Sequence, residues 1–167
     1  FGDIGSVLSY DLSLTSFQNP GGGPDGGGYF WTDSELEPSI SYEWIDITGI
    51  GTQITFPNND QAGDSISIGF DFPFYGETYL DCIINPNGWL GFGSDNTEWD
   101  NVELPSPSAP SPAIFGFWDD LNPVNDNCNE YCSGDVYYHS DSTRIVVWYN
   151  QVAHWWEGNE NSYYDFQ

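Results

Sequence analysis

Short alternating segments, broken by glycine and proline, restrict this chain to a β-fold more firmly than any other feature. The clearest is SISIGFDF, where a period of two places Ile66, Ile68, Phe70 and Phe72 on one face of a strand. With 19 Gly and 11 Pro in the chain, the strands are expected to run for about four to eight residues. No sustained helical period is present. We therefore predict an all-β fold, an antiparallel β-sandwich of short strands with little or no helix.

Four other stretches of the sequence predict individual hairpins, strands or connections. DCIINPNGWLGFG predicts two short strands around Asn87-Gly88, the dipeptide best suited to positive φ in a tight hairpin. A second hairpin is predicted from strands at 136–139 and 144–150 joined by a polar turn. The aromatic stretch at 29–47 is expected to supply core strands, and the proline-rich stretch at 104–115 to be a surface connection.

The charge of the chain excludes several classes of partner. Against 26 Asp and Glu stands a single base, Arg144, so the formal net charge is -25 at pH 7. Nucleic acids and anionic lipid surfaces need Lys and Arg to neutralise phosphate, so neither is expected as a partner. No run of about 18 apolar residues exists, and we predict no membrane insertion. Self-repulsion of this size needs screening, and Ca²⁺ is the natural candidate because it takes carboxylate and carbonyl oxygens on loops.

The acids that follow the predicted strand at 113–118 are the best candidates for calcium ligands. At a strand end, one of the carboxylates of Asp119 and Asp120 can cap the turn while the other meets a cation. A purely structural turn cap stays open as the alternative. The candidate calcium ligands are Asp119, Asp120, Asn122, Asp126, Glu130 and Asp135. Two other oxygen-rich stretches, at 58–64 and 95–100, are interpreted as solvated loops.

The cysteines indicate an oxidising, extracellular setting. Cys128 and Cys132 are four positions apart, and we predict a disulfide between them, with Cys82 as a buried thiol in a strand. A metal site of the CxxxC type is the rival interpretation, although no third thiol or histidine lies close in sequence. No HExxH, P-loop or dinucleotide motif is present, and both histidines, His139 and His154, lie in or just after predicted strands. We therefore expect no enzyme.

Tryptophans form the remaining candidate surface. Trp155 and Trp156 directly follow a predicted strand, and Trp99 lies in an acidic loop. Exposed indole rings of this kind can stack on glycans or form a protein interface. Packing inside the fold is the competing interpretation.

The order of the motifs resembles the nidogen-like extracellular domain. The motifs are GFDFPFYGETYLDCIINPNGWLGFG, a proline connection, the GFWDDLNP turn, and a hairpin with VYY and VVW. The stretch PDGGGYFWTDSELEPSISYEWIDI is similar to a segment that precedes this module in secreted bacterial surface proteins and peptidases. The resemblance covers about residues 24–167 and implies a β-sandwich domain there. Residues 1–23 are then expected to form an N-terminal strand and a Gly-rich hinge.

The resemblance implies a secreted, non-enzymatic module for adhesion or assembly at a cell surface, in a filament or in a matrix. In that family the last strand runs on into apolar residues, whereas this sequence stops at YYDFQ. We therefore expect an open sheet edge, completed by a longer stretch of the same chain, by other copies of itself or by other extracellular proteins. A start at Phe1 without Met predicts a processed or excerpted piece. The alternative function is a carbohydrate-binding accessory module of a secreted hydrolase.

Overall fold

The computed structural model describes residues 21–93, 97–123, 132–155 and 163–167. The chain divides into two compact units, Phe1–Glu43 and Trp44–Gln167. Among the described residues there is no helix, and all strand pairs are antiparallel, so the predicted all-β class is confirmed. That part of the chain accordingly holds no helix long and apolar enough to cross a membrane.

The second unit consists of short strands in two sheets. The strands are β1 (Thr52–Gln53), β2 (Ile66–Phe74), β3 (Glu77–Asn85), β4 (Trp89–Gly91), β5 (Ala113–Phe115), β6 (Leu121–Asn122), β7 (Asp135–Ser140), β8 (Ile145–His154) and β9 (Tyr163–Phe166). One sheet has the order β1-β7-β8-β6, with β9 also paired to β8, and the other has the order β2-β3-β4-β5.

The two sheets share one apolar core. Ile84 of β3 lies in a buried cluster with Val136 of β7 and with Val147 and Tyr149 of β8. The hydroxyl of Tyr149 donates a hydrogen bond to the backbone oxygen of Asn85 at 2.5 Å and so ties the sheets together. Removal of apolar surface from water at about 25 cal/mol per Å² drives this packing. The sandwich architecture therefore follows from strands that are each apolar on one face.

The predicted alternation of β2 is confirmed. Ile68 is buried and Phe70 and Phe72 are partly buried, whereas Ser67 and Gly69 are exposed. The β2–β3 hairpin closes through Tyr75 and Gly76, with φ of 48° and 86°. Positive φ at both central residues is the signature of a type I′ turn, whose twist matches that of the strands. The predicted β7–β8 hairpin is also present.

The hairpin at Asn87-Gly88 is present, but its two residues act differently from each other. Asn85 pairs with Trp89, which leaves residues 86–88 as the loop. Gly88 has φ of 85°, as expected where a three-residue loop needs a left-handed position. Asn87 is completely buried. Its contribution to the fold comes from its side chain and not from the conformational freedom of its backbone.

The first unit contains an ordered turn in the Gly-rich stretch. Gly22 and Trp31 exchange two backbone hydrogen bonds at 3.0 Å, and Oδ1 of Asp25 accepts the N–H groups of Gly27 and Tyr29. The predicted core strands are wrong for residues 29–47, where the structure has turns and largely exposed side chains, although Ile47 is buried. Acids and prolines interrupt the aromatic residues there, so no continuous apolar face forms.

Candidate functional site

Four acidic residues from separate loops come together before β6, and we call them the acidic cluster: Asp60, Asp100, Asp119 and Asp120. The negative charges of the first three all act on Asp120. In the sequence they belong to three oxygen-rich stretches. Two of these stretches were interpreted as solvated loops, yet Asp60 is partly buried in the fold.

Burial, ahead of the negative charge of Asp60, raises the pKa of Asp120 to about 6. Burial also raises the pKa of the Asp60 carboxyl. Only His154 acts on the pKa of Asp120 in the opposite direction. In the described part of the chain, Oδ1 of Asp120 is buried without a hydrogen-bond partner. The acidic cluster therefore holds more negative charge at neutral pH than its protein surroundings stabilise.

Asp119 has a structural role beside Asp120. Its Oδ2 lies 3.3 Å from Nε2 of His154, and its Oδ1 accepts the backbone N–H of Asp120 at 3.0 Å. The backbone oxygen of Asp120 in turn accepts the N–H of Trp155 at 2.9 Å. The carboxylate of Asp119 is thus occupied by contacts within the chain, and both interpretations of this acid pair, a turn cap and a calcium ligand, stay predictions.

Two buried asparagines position the acidic cluster, and both are 0% exposed. Oδ1 of Asn87 accepts the N–H of Leu121 at 2.7 Å, and its Nδ2 donates to the backbone oxygen of Asn59 at 3.2 Å. Nδ2 of Asn85 donates to the backbone oxygen of Asp60 at 3.1 Å. These bonds hold the loop around Asp60 against the start of β6. Sequence reasoning missed this function, because Asn87 carries only a turn signal in the sequence.

The other predicted calcium ligands lie in different surroundings. Asn122 is buried in β6. The carboxylate of Asp135 accepts hydrogen bonds from Gln53 at 2.6 Å and from the Tyr137 hydroxyl at 3.4 Å. Asp126 and Glu130 lie outside the described residues. Within the described ranges, no three His, Cys, Asp or Glu side chains are placed to hold a metal ion. The calcium site therefore stays a prediction.

The cysteines differ in state. Cys82 is a free, buried thiol, as predicted, and burial, with a smaller effect of Asp81, raises its pKa to about 11. A thiol of this kind is unreactive at neutral pH. Cys132 is disulfide-bonded. Cys128 lies outside the described residues, so its pairing with Cys132 stays a prediction.

The candidate tryptophans are near members of the acidic cluster or near its partner His154 in sequence. Trp99 precedes Asp100 and Trp155 follows His154, and each indole residue is 45% exposed. Trp156 lies outside the described residues. The two described rings therefore keep nearly half of their surface available to solvent or a ligand.

An apolar cavity of about 470 Å³ lies between the two sheets, and we call it the inter-sheet groove. Its walls include Phe70 and Phe72 of β2, Leu90 of β4, Ile114 of β5, and Ile145 and Val147 of β8. Arg144, the only Lys or Arg of the chain, lies at the same cavity. The volume is about three times the ~150 Å³ of an apolar cavity that binds one benzene ring. No sequence motif predicts this groove, since residues from six strands line it.

The end of β9 lies beside the inter-sheet groove. On one side β8 pairs with β7 along 145–150. On its other side β8 pairs with β9, and the Tyr149–Phe166 pair lies next to the last residue of the sequence. The side chain of Gln167 exchanges two hydrogen bonds with the backbone of Ile45, at 3.0 and 2.7 Å. Phe166 and Gln167 both line the groove.

Comparison with protein families gives one match. A family model described as NIDO related matches residues 37–167. The matched range includes both sheets, the acidic cluster and the inter-sheet groove. Comparison with curated proteins gives no match, and comparison with solved structures gives none either.

Proposed function

The chain belongs to the nidogen-related family, and from this premise we propose that it is a secreted, non-catalytic module that mediates adhesion or assembly at a cell surface. Membership of the family indicates an extracellular module, and domains of this family are typically non-catalytic. Because a fold by itself does not fix a function, the proposal needs a site. The observation that carries it is the apolar inter-sheet groove, which residues of both sheets line.

A groove of this kind is suited to binding another polypeptide, because apolar side chains of a partner can enter it. Side chains that are partly exposed to water, such as Ile114 at 38% exposure, gain burial without disturbing the core. The apolar lining of the groove therefore favours a protein partner over a small polar ligand.

The charge of the chain sets a condition on such assembly. Two copies that each carry a net charge of -25 repel each other, and the range of that repulsion falls from about 30 Å at 0.01 M salt to about 8 Å at 0.15 M. Assembly between copies is therefore expected to need moderate ionic strength or divalent cations. Ca²⁺ bound at the acidic cluster is part of the proposal, supported by the unpartnered Oδ1 of Asp120.

The experiment is sedimentation velocity of the purified chain across a range of concentrations at 0.15 M salt. We expect concentration-dependent association that Ile114→Asp weakens by at least tenfold, because the variant places a charge in the groove. Leu80→Asp is the matched control, since Leu80 is an exposed apolar residue of the same sheet and does not line the groove. A chain that stays monomeric in all conditions and binds no other extracellular protein would contradict the proposal.

A carbohydrate-binding accessory module is the second candidate function. Its support is the exposure of Trp99 and Trp155, each at 45%. Calorimetric titration with soluble glycans tests it, with Trp99→Ala and Trp155→Ala as variants. Loss of glycan binding in these variants, with unchanged sedimentation, would favour this candidate over assembly.

A further inference from the structure

We propose that three aromatic rings on the outer face of the sheet that contains β7 and β8 bind a quaternary ammonium group, a cationic nitrogen with four carbon substituents. We call the rings of Trp44, Tyr137 and Trp148 the aromatic corner. All three residues belong to the second compact unit. The inference goes beyond the proposed assembly function, because the inter-sheet groove lies on the opposite face of this sheet.

The pairing of β7 with β8 brings two of the rings together. Tyr137 and Trp148 lie opposite each other in the antiparallel register. Val136, Val147 and Tyr149, which are next to them in sequence, belong to the buried core. Alternation along each strand therefore turns Tyr137 and Trp148 to the outer face. Their ring centroids are 5.6 Å apart and their planes are inclined by 33°.

Trp44 adds a wall that stands upright on this pair. Its ring centroid is 6.0 Å from that of Trp148, and the two planes are 89° apart. The segment is anchored by Ile47, which is 2% exposed. A Cβ atom at Gly51 would lie 3.2 Å from Ile47 and 3.4 Å from Tyr137, so residues 47–51 pack closely on this face. Trp44 itself is 41% exposed and accessible to a ligand.

Perpendicular rings favour a compact ligand over a flat one. A flat ligand covers one ring plane, whereas a nearly spherical group can touch both planes at once. A cation is attracted to the face of an aromatic ring within about 6 Å of its centroid, and most strongly to tryptophan. Because the centroids of Trp44 and Trp148 are 6.0 Å apart, a cation between the two planes comes within that range of both.

The charges around the aromatic corner favour a cation. Asp135 is two residues before Tyr137 on β7 and so shares its face. The whole chain has a net charge of -25, which raises the concentration of cations at its surface. Its only Lys or Arg, Arg144, is paired with Asp141 and is four residues from Trp148, about 13 Å along a strand. The chain therefore has no Lys or Arg of its own at these rings.

The hydrogen bonds of Asp135 favour a cation that has no N–H group. Its Oδ1 accepts a bond from Nε2 of Gln53 at 2.6 Å, and its Oδ2 accepts one from the hydroxyl of Tyr137 at 3.4 Å. A Lys side chain has three N–H donors and Arg has five, and donors without acceptors are costly to remove from water. A quaternary ammonium group has none. Asp135 can therefore act on it through charge, while the rings supply the contact surface.

The first experiment titrates choline into the full chain at about 0.15 M salt. Proton–nitrogen NMR follows the indole N–H signals of the 8 Trp, with Trp44→Phe used to assign the signal of Trp44. The control ligand is the neutral isostere of choline, in which a tert-butyl group replaces the trimethylammonium group. We expect choline to shift the signals of Trp44 and Trp148, and the isostere to bind at least tenfold more weakly. Equal binding of both ligands, or no shift of these two signals, would overturn the inference.

The second experiment removes the wall. Trp44→Ala is compared with Trp99→Ala, because the two tryptophans have similar exposure, 41% and 45%. We expect choline binding to weaken about tenfold in Trp44→Ala and to stay unchanged in Trp99→Ala. Trp44→Phe keeps an aromatic face and should recover part of the affinity, and the NMR spectrum shows whether each variant is folded. Affinity of folded Trp44→Ala equal to that of the parent would refute the site.

The third experiment separates a defined site from a diffuse cloud of cations. Asp135→Asn and Asp71→Asn each remove one negative charge, but Asp71 is an exposed residue of β2 in the other sheet. Asp135→Asn should weaken choline binding about threefold more than Asp71→Asn does. Equal effects would mean that net charge alone gathers the cation, which overturns the inference.

Two further ligands test the class of ligand. Cosedimentation with phosphatidylcholine vesicles distinguishes a lipid headgroup from a free small molecule as the source of the ammonium group, and the inference holds for either. A neutral monosaccharide that shifts the signals of Trp44 and Trp148 at a lower concentration than choline would assign these rings to carbohydrate and overturn it. Neither result affects the sedimentation test of assembly, which depends on the inter-sheet groove.

Discussion

Gly88 closes the β3–β4 turn against the backbone near Phe117, and its replacement by alanine tests how this region of the fold is held. Its φ of 85° lies in the left-handed region, which disfavours residues with a Cβ atom. A Cβ atom at Gly88 would lie 1.8 Å from the backbone oxygen of Phe117. Rotation of a side chain cannot relieve this overlap, because the obstacle is main chain. The turn has to move away from residues 116–117.

The structure supplies a matched control at Gly76. Its φ is 86°, and a Cβ atom there meets nothing within 4 Å. Gly76→Ala therefore carries only the conformational penalty, about 1 kcal/mol. Gly88→Ala carries the same penalty and also strains the bonds that Gly116 and Phe117 donate to the oxygen of Gly88, both at 3.2 Å. At about 1 kcal/mol for each lost bond, the total is about 3 kcal/mol.

Urea unfolding at pH 7, followed by tryptophan fluorescence, measures the free energy of unfolding of both variants. Trp89 directly follows Gly88 and is fully buried, and it is one of 8 Trp whose combined emission follows unfolding of the chain. We expect the free energy of unfolding to fall by about 3 kcal/mol in Gly88→Ala and by about 1 kcal/mol in Gly76→Ala. The dependence on urea concentration should stay the same in both. Equal losses in the two variants would refute the reasoning, because they would mean that the contact with Phe117 places no constraint on the turn.

Three other results are expected. Because the pKa of Asp120 is raised to about 6 in the folded chain, its ionisation destabilises the fold as pH rises from about 4 to about 6. The shift corresponds to at most about 3 kcal/mol, and solvent screening of this partly exposed group reduces it to about 1 kcal/mol. Urea unfolding in the presence of chelator should then give Asp120→Asn a higher free energy of unfolding than the parent at pH 8, and an equal one near pH 4. A difference between variant and parent that does not change with pH would contradict this. Tyr149→Phe should lower the free energy of unfolding by about 1 kcal/mol, the value of one hydrogen bond. The loss is no larger because the Asn85 oxygen still accepts a bond from Gly88. A loss near zero would show that the bond between the sheets contributes nothing. If Ca²⁺ binds at the acidic cluster, saturation 100-fold above its dissociation constant should raise the melting temperature by about 5–10 °C at fixed ionic strength, and an equal melt in chelator would exclude the site.

The features that sequence predicts well are local ones. The alternation of β2 and the polar turn between β7 and β8 are each contained within a few consecutive residues. Their conformation depends on side-chain period and on turn residues, both of which can be read from the sequence. The failed prediction at 29–47 fits the same rule, because it relied on aromatic content without a period of two.

The features that sequence does not predict depend on contacts between distant residues. Asn87 suggests only a turn, yet its side chain joins Leu121, which is 34 positions away, to the loop of Asn59. The raised pKa of Asp120 depends on Asp60, a residue from an earlier loop. The inter-sheet groove depends on how strands of the two sheets face each other across the core. None of these arrangements has a signature in any one segment.

The acidic exterior and the apolar groove have opposite effects on association, and the two effects differ in range. Attraction in the groove acts only on contact and depends little on salt, because it comes from the burial of apolar surface. Repulsion between copies of charge -25 acts over a distance that salt controls. At low ionic strength the copies are held apart before the groove can act. In saline surroundings, or with divalent cations on the acidic loops, the repulsion shortens to near contact and the groove decides the outcome. The proposed association of copies through the groove is therefore compatible with an acidic exterior, provided that salt or divalent cations shorten the repulsion.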